Sequence, residues 1–134
     1  MAKIAAIEGI GEVMSGKLGA AGITTTAGLL SACATAAGRQ ALAAKTGLDA
    51  SKLLNWANRA DLFRVKGIGT QYSDLLEAAG VDTVPELAQR KPENLHAKMA
   101  EVNAEKKLVR QLPTLRSVQA WVAQAKELPR VIGY

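Results

Sequence analysis

With 134 residues, 49% of them hydrophobic, one cysteine and a net charge of +5, the chain makes one ordinary domain or two very small ones. The lone Cys33 excludes an internal disulfide and suits a reducing compartment. No apolar run approaches the roughly 18 residues of a membrane span, so the sequence predicts a cytosolic protein without a membrane partner.

The N-terminal stretch "MAKIAAIEGIGEVMSG" is interrupted by Glu8 and Glu12 and makes a poor signal peptide. The same stretch holds a "GIG" turn, and Gly11 precedes a helix that stops at Gly22. Thr25 or Thr26 caps a second helix through about Ala34. Thr35 caps "AAGRQALAAK", which ends at Gly47, and Asp49 caps the helix that carries Trp56. A second "GIG" opens a helix over about Thr70–Ala79, followed by Val84–Arg90, Pro92–Val102, Ala104–Leu112 and Thr114–Leu128. Pro85 and Pro92 suit a first helical turn, where the missing N–H is not needed. Pro113 and Pro129 read as stops. No strand is convincing, and the last residues, "RVIGY", are expected to fray. The alanine-rich, aromatic-poor composition points to closely packed helices.

The chain repeats itself. A shift of 58 places Gly9, Ile10 and Gly11 on Gly67, Ile68 and Gly69. The same shift places Leu18 on Leu76, Gly22 on Gly80 and Thr25 on Thr83. A shift of 65 places Trp56 on Trp121 and Ala60 on Ala125. About seven extra residues therefore sit in the second repeat, and the charged stretch "RKPENLHAKMAEVNAEKK" is the expected place. The boundary near Phe63–Lys66 has no Gly, Ser or Pro run. Apolar Leu62, Phe63 and Val65 there predict that repeats 1–63 and 64–134 pack together.

A Gly-Ile-Gly turn suits a tight joint between helices, because glycine adopts a positive φ without the cost of a Cβ. The isoleucine points inward as an anchor. The backbone N–H groups that open the next helix form an anion site. "IAAIEGIGEVMSGKLGAAGI" and "LFRVKGIGTQYSDLLEAAGV" resemble helix-hairpin-helix motifs, with Ser15 and Ser73 at the small position. The Trp-bearing segments resemble degenerate copies, with Thr46-Gly47-Leu48 and Leu112-Pro113-Thr114 as their turns. The whole chain is similar to a bacterial family of unknown function built on this plan. The resemblance implies an all-α fold of two tandem repeats, each of about five short helices.

The resemblance also implies sequence-tolerant binding of DNA or RNA phosphates by hairpin amides. The residues carried over are Gly67, Ile68 and Gly69, with Gly9, Ile10 and Gly11 as the weaker set. Arg64, Lys66 and Thr70 flank the second turn and suit phosphate, although Asp74 follows one turn later. Glu8 and Glu12 flank the first turn and oppose it, and Lys17 offsets them only in part. Lys106, Lys107 and Arg110 fall within one helical turn and form an auxiliary basic patch, or an exposed face paired with Glu101 and Glu105.

The net charge is spread over both halves, +3 in residues 1–64 and +2 in 65–134, so a well-solvated basic surface also accounts for it. Trp56, Trp121 and Tyr72 sit in apolar rhythms and read as core. His96 is the only histidine and lacks partners for a zinc site. No catalytic set, Walker loop or dinucleotide turn is present, so the sequence predicts no enzyme, cofactor, metal or small-molecule substrate. The second reading is a scaffold with structural turns that takes a protein partner or self-associates. Small residues at Gly16, Gly19 and Ala20 would allow a close approach there.

Overall fold

The computed structural model describes residues 3–133. The chain divides into two units. The first runs to Asp61 and takes back the chain from Arg130, and the second is Leu62–Pro129. Among the described residues the structure is helical, apart from turns, connections and one isolated antiparallel bridge between Lys3 and Thr25.

The first unit opens with a 3-10 turn, Ile4–Ala6, followed by α1 (Glu12–Ala20), α2 (Thr26–Ala32), α3 (Ala36–Thr46) and α4 (Ala50–Leu62). The second holds α5 (Thr70–Ala78), α6 (Val84–Ala88), α7 (Pro92–Lys106) and α8 (Leu115–Glu127). Local chemistry sets most helix starts. Thr25, Thr35, Thr83 and Thr114 each accept from the backbone N–H three residues on, at 3.0, 3.0, 3.1 and 3.1 Å. Each such cap contributes about 1 kcal/mol. Asp49 accepts from the Ser51 N–H at 3.1 Å.

α1 and α5 also stop alike. The Ile23 N–H reaches the Leu18 carbonyl at 2.9 Å and the Val81 N–H reaches Leu76 at 2.8 Å. Gly22 and Gly80 lie between, at φ +86° and +95°, and donate to Gly19 and Glu77. This is the six-to-one closure that glycine permits at a helix end.

Each unit has its own apolar interior. Ile7, Leu18, Leu29 and Leu53 are fully buried in the first. In the second, α8 packs on α6 and α7, and α5 packs on α7, around Leu75, Leu76, Leu87, Leu95 and Met99.

Two expectations are corrected. The helix expected to break near Asn103 does not break, because α7 continues to Lys106 and the predicted helix over Ala104–Leu112 is absent. The Asn103 side chain accepts from the Val109 N–H at 3.0 Å and donates to the Val109 carbonyl at 3.1 Å. Those bonds, with Val109 buried, turn the chain back along the helix it has just left. Lys107 makes the reversal at φ +51°. The second unit therefore has four α-helices rather than five.

The extra residues of this unit are also placed. α7 has 15 residues against 11 in α3, and eight residues join α7 to α8 where three join α3 to α4. A shorter α6 partly offsets this.

The second correction concerns the C-terminal stretch. Ile132 is only 3% exposed, and the Gly133 N–H donates to the Ala34 carbonyl at 2.7 Å. An apolar pair, Val131-Ile132, gives this segment a reason to dock rather than fray. Tyr134, also part of that expectation, lies outside the described residues.

Candidate functional site

The two Gly-Ile-Gly turns share one geometry. Gly9 and Gly67 lie at φ +94° and +96°, where an L side chain is strained. Ile10 and Ile68 are each 5% exposed and anchor the turns inward. Their own N–H groups donate back to the carbonyls of Ile7 and Val65, at 3.2 Å in both cases. The isoleucines expected among the amide donors are thus committed within the turn. The N–H groups of Gly9, Gly11, Gly67 and Gly69 have no partner among the described residues.

The second glycine of each turn differs from the first. Gly11 and Gly69 are the N-caps of α1 and α5, in extended backbone at φ −84° and −114°. Any residue adopts that conformation, and a Cβ at either position would meet nothing within 4 Å. Both glycines are exposed and neither helix has a side-chain cap. The serine four residues on from Gly69, Ser73, is fully buried, and its hydroxyl donates to the Thr70 carbonyl at 2.9 Å.

α8 holds the second turn residue by residue. The Trp121 indole Nε1 lies 2.8 Å from the point that a Cβ on Gly67 would occupy. The ring is 3% exposed and tilts against Tyr72, with centroids 5.3 Å apart. Gln124, one helical turn further on, accepts from the Lys66 N–H at 2.9 Å and donates to the Lys66 carbonyl at 3.4 Å. Past the end of α8, the Pro129 carbonyl accepts from Arg64 at 3.3 Å. In the first unit Trp56 stands against Gly9 in the same way, with a looser 3.5 Å approach. The apolar rhythm identifies both tryptophans as interior residues, but it assigns nothing to Gln124. The only sequence hint is its spacing of three from Trp121.

The electrostatics of the two turns differ. α5 has no acidic residue in its first turn, whereas α1 has Glu12 there and Glu8 stands exposed before the turn. A carboxylate in the first turn neutralises the positive end of a helix dipole, so α5 keeps the stronger one. Lys66 is exposed beside Gly67 and Gly69, while Arg64 and Thr70 are half-buried. Lys17 is exposed, within the last turn of α1.

The expected basic face of Lys106, Lys107 and Arg110 does not form. Lys106 ends α7, Lys107 is left-handed, and Arg110 lies in the connection that Asn103 pulls back. All three are exposed, but not on one helical face. Glu101 instead faces Lys98, at 3.9 Å. His96 bonds the Pro113 carbonyl through Nε2 at 2.9 Å, and the Tyr72 hydroxyl donates to the Gln111 carbonyl at 3.1 Å. Both therefore fasten the α7–α8 connection.

Cys33 is buried, and burial pushes its thiol up to about 11 despite the nearby Arg39. Arg39 is buried too and donates to the Cys33 carbonyl at 2.9 Å, closing the end of α2. Among the described residues no helix is long and apolar enough to cross a membrane. No three His, Cys, Asp or Glu side chains gather there as a metal site.

Comparison with curated proteins and with solved structures gives no match. A family model does match, over residues 8–128, and spans both Gly-Ile-Gly turns and both tryptophan helices. The chain belongs to that family, described as Domain of unknown function (DUF4332).

Proposed function

We propose that the protein is a non-enzymatic helix-hairpin-helix module that binds the phosphate backbone of DNA or RNA through its second turn, without reading base sequence. Gly69 carries the reading. A helix start favours Ser, Thr, Asp or Asn, which the chain uses at five other starts. At Gly69 it places glycine, although neither φ nor a neighbouring atom requires one. What glycine provides there is room for close approach, and it leaves the first N–H groups of α5 without a side-chain cap. The Gly67 N–H, the unneutralised start of α5 and the exposed Lys66 stand around it. Backbone donors and one exposed cation suit a phosphate oxygen and carry no base information. Thr70 borders this surface, and Ile68 supports it by packing.

The test is fluorescence anisotropy of labelled duplex and single-stranded DNA at two salt concentrations, with Lys66→Glu alongside. Wild type should bind, lose affinity steeply with salt, and bind less tightly as Lys66→Glu. Equal affinity in the variant would refute this site. No binding at low salt would refute the function.

A second reading has one observation in its favour. Val13, in the first turn of α1, is 70% exposed, and Gly16 and Gly19 leave open space beside their Cα atoms. That face suits contact with another protein or a second copy, with both turns acting as structural joints. A rise in mass with concentration by sedimentation, lost in Val13→Lys, would support this reading against the first.

A further inference from the structure

We infer that Gln124 is a positioning residue for the second turn: by holding both peptide groups of Lys66 it fixes the Gly67 and Gly69 donors, and the backbone that carries the Lys66 side chain, toward one phosphate. This inference rests on the phosphate-binding reading above.

Lys66 lies on an exposed turn, where water would otherwise satisfy its backbone. Instead, one side-chain amide accepts from its N–H at 2.9 Å and donates to its carbonyl at 3.4 Å. The two bonds bracket a single residue, so they restrain its orientation rather than only its distance. Gly67 comes next, at φ +96°, against the Trp121 ring. Trp121 and Gln124 are three apart on α8 and share one face. With Lys66 held by Gln124 and the Ile68 N–H held by Val65, the donors this turn leaves uncommitted are those of Gly67 and Gly69. A turn fixed in this state does not have to be ordered when ligand arrives, which raises affinity without adding a contact.

The first repeat shows what the choice of glutamine does. The 65-residue shift places Gln124 on Arg59, and the 58-residue shift places Lys66 on Glu8. The first copy thus carries one charge of each sign at these positions. The second carries a cation and a neutral amide. Glutamine grips the backbone of Lys66 while leaving the charge of its side chain unopposed.

The test is Gln124→Met, which keeps side-chain length and helix propensity but removes both bonds. Lys66→Gln is the comparison. A labelled DNA duplex is titrated by anisotropy over a series of salt concentrations, and a stoichiometric titration gives the active fraction. Gln124→Met should raise Kd by about three- to tenfold, the effect of one ordinary hydrogen bond. Its salt slope and active fraction should match wild type, because no phosphate contact is removed. Lys66→Gln should flatten the slope by about one unit. Unchanged Kd in Gln124→Met, or a loss confined to active fraction, would overturn the positioning role and leave the binding site standing. A wild type that does not bind would overturn both.

Discussion

Gly67→Ala and Gly9→Ala are the same substitution at equivalent places, and the structure assigns them different costs. Both positions have a positive φ, +96° and +94°, so each variant takes a backbone penalty of roughly 1–2 kcal/mol. The neighbours then separate them. A Cβ on Gly9 would sit 3.5 Å from Trp56 Nε1, an ordinary contact that adds nothing. A Cβ on Gly67 would sit 2.8 Å from Trp121 Nε1, closer than two such atoms pack. The Trp121 ring is buried, and Tyr72 lies on it at 5.3 Å between centroids, so it has little room to retreat. Overpacking of this kind costs about 1–3 kcal/mol.

The expected losses are roughly 1–2 kcal/mol for Gly9→Ala and about 2–5 kcal/mol for Gly67→Ala. Urea unfolding measures the totals. Amide exchange read separately over α4 and α8 assigns each loss to its unit. Equal costs, or a larger cost at Gly9, would refute the claim that the tryptophan contact distinguishes the two turns.

Two other outcomes are expected. Ile132→Ala should destabilise the first unit by roughly 2–4 kcal/mol, because Ile132 is 3% exposed there, and exchange should quicken around Ala34 while α5–α8 keep their protection; quickening confined to α5–α8 would refute the assignment of the tail. Cys33 adds a pH dependence. Its thiol moves from 9.0 up to about 11 in the folded chain through burial, so the unfolded chain releases the proton first. That contribution is fully present below pH 9 and is lost progressively from there toward 11. The stability gap between wild type and Cys33→Ala should therefore shrink from pH 8 to 10.5, and a constant gap would count against burial as the cause.

What the sequence determined by itself was short in range. Thr25, Thr35, Asp49, Thr83 and Thr114 mark helix starts because a cap needs only the next two or three residues. Gly22, Gly47 and Gly80 mark stops because a positive φ is a property of one residue. The 58-residue repeat made the two turns legible as one structure used twice, and the apolar rhythm placed both tryptophans inside.

Tertiary structure decided what depends on partners far along the chain. Asn103 captures Val109, so α7 runs on to Lys106 and the three basic residues share no helical face. The chain from Arg130 returns to the first unit, where Ile132 is buried. Arg64, expected to suit phosphate beside the turn, donates to the Pro129 carbonyl, 65 residues away. Gln124 reaches Lys66 across 58 residues. No local pattern encodes these bonds, because each needs two segments that only packing brings together. The sequence located the turn; α8, packed beside it, takes up the Lys66 N–H that the turn's own bonds leave unpaired.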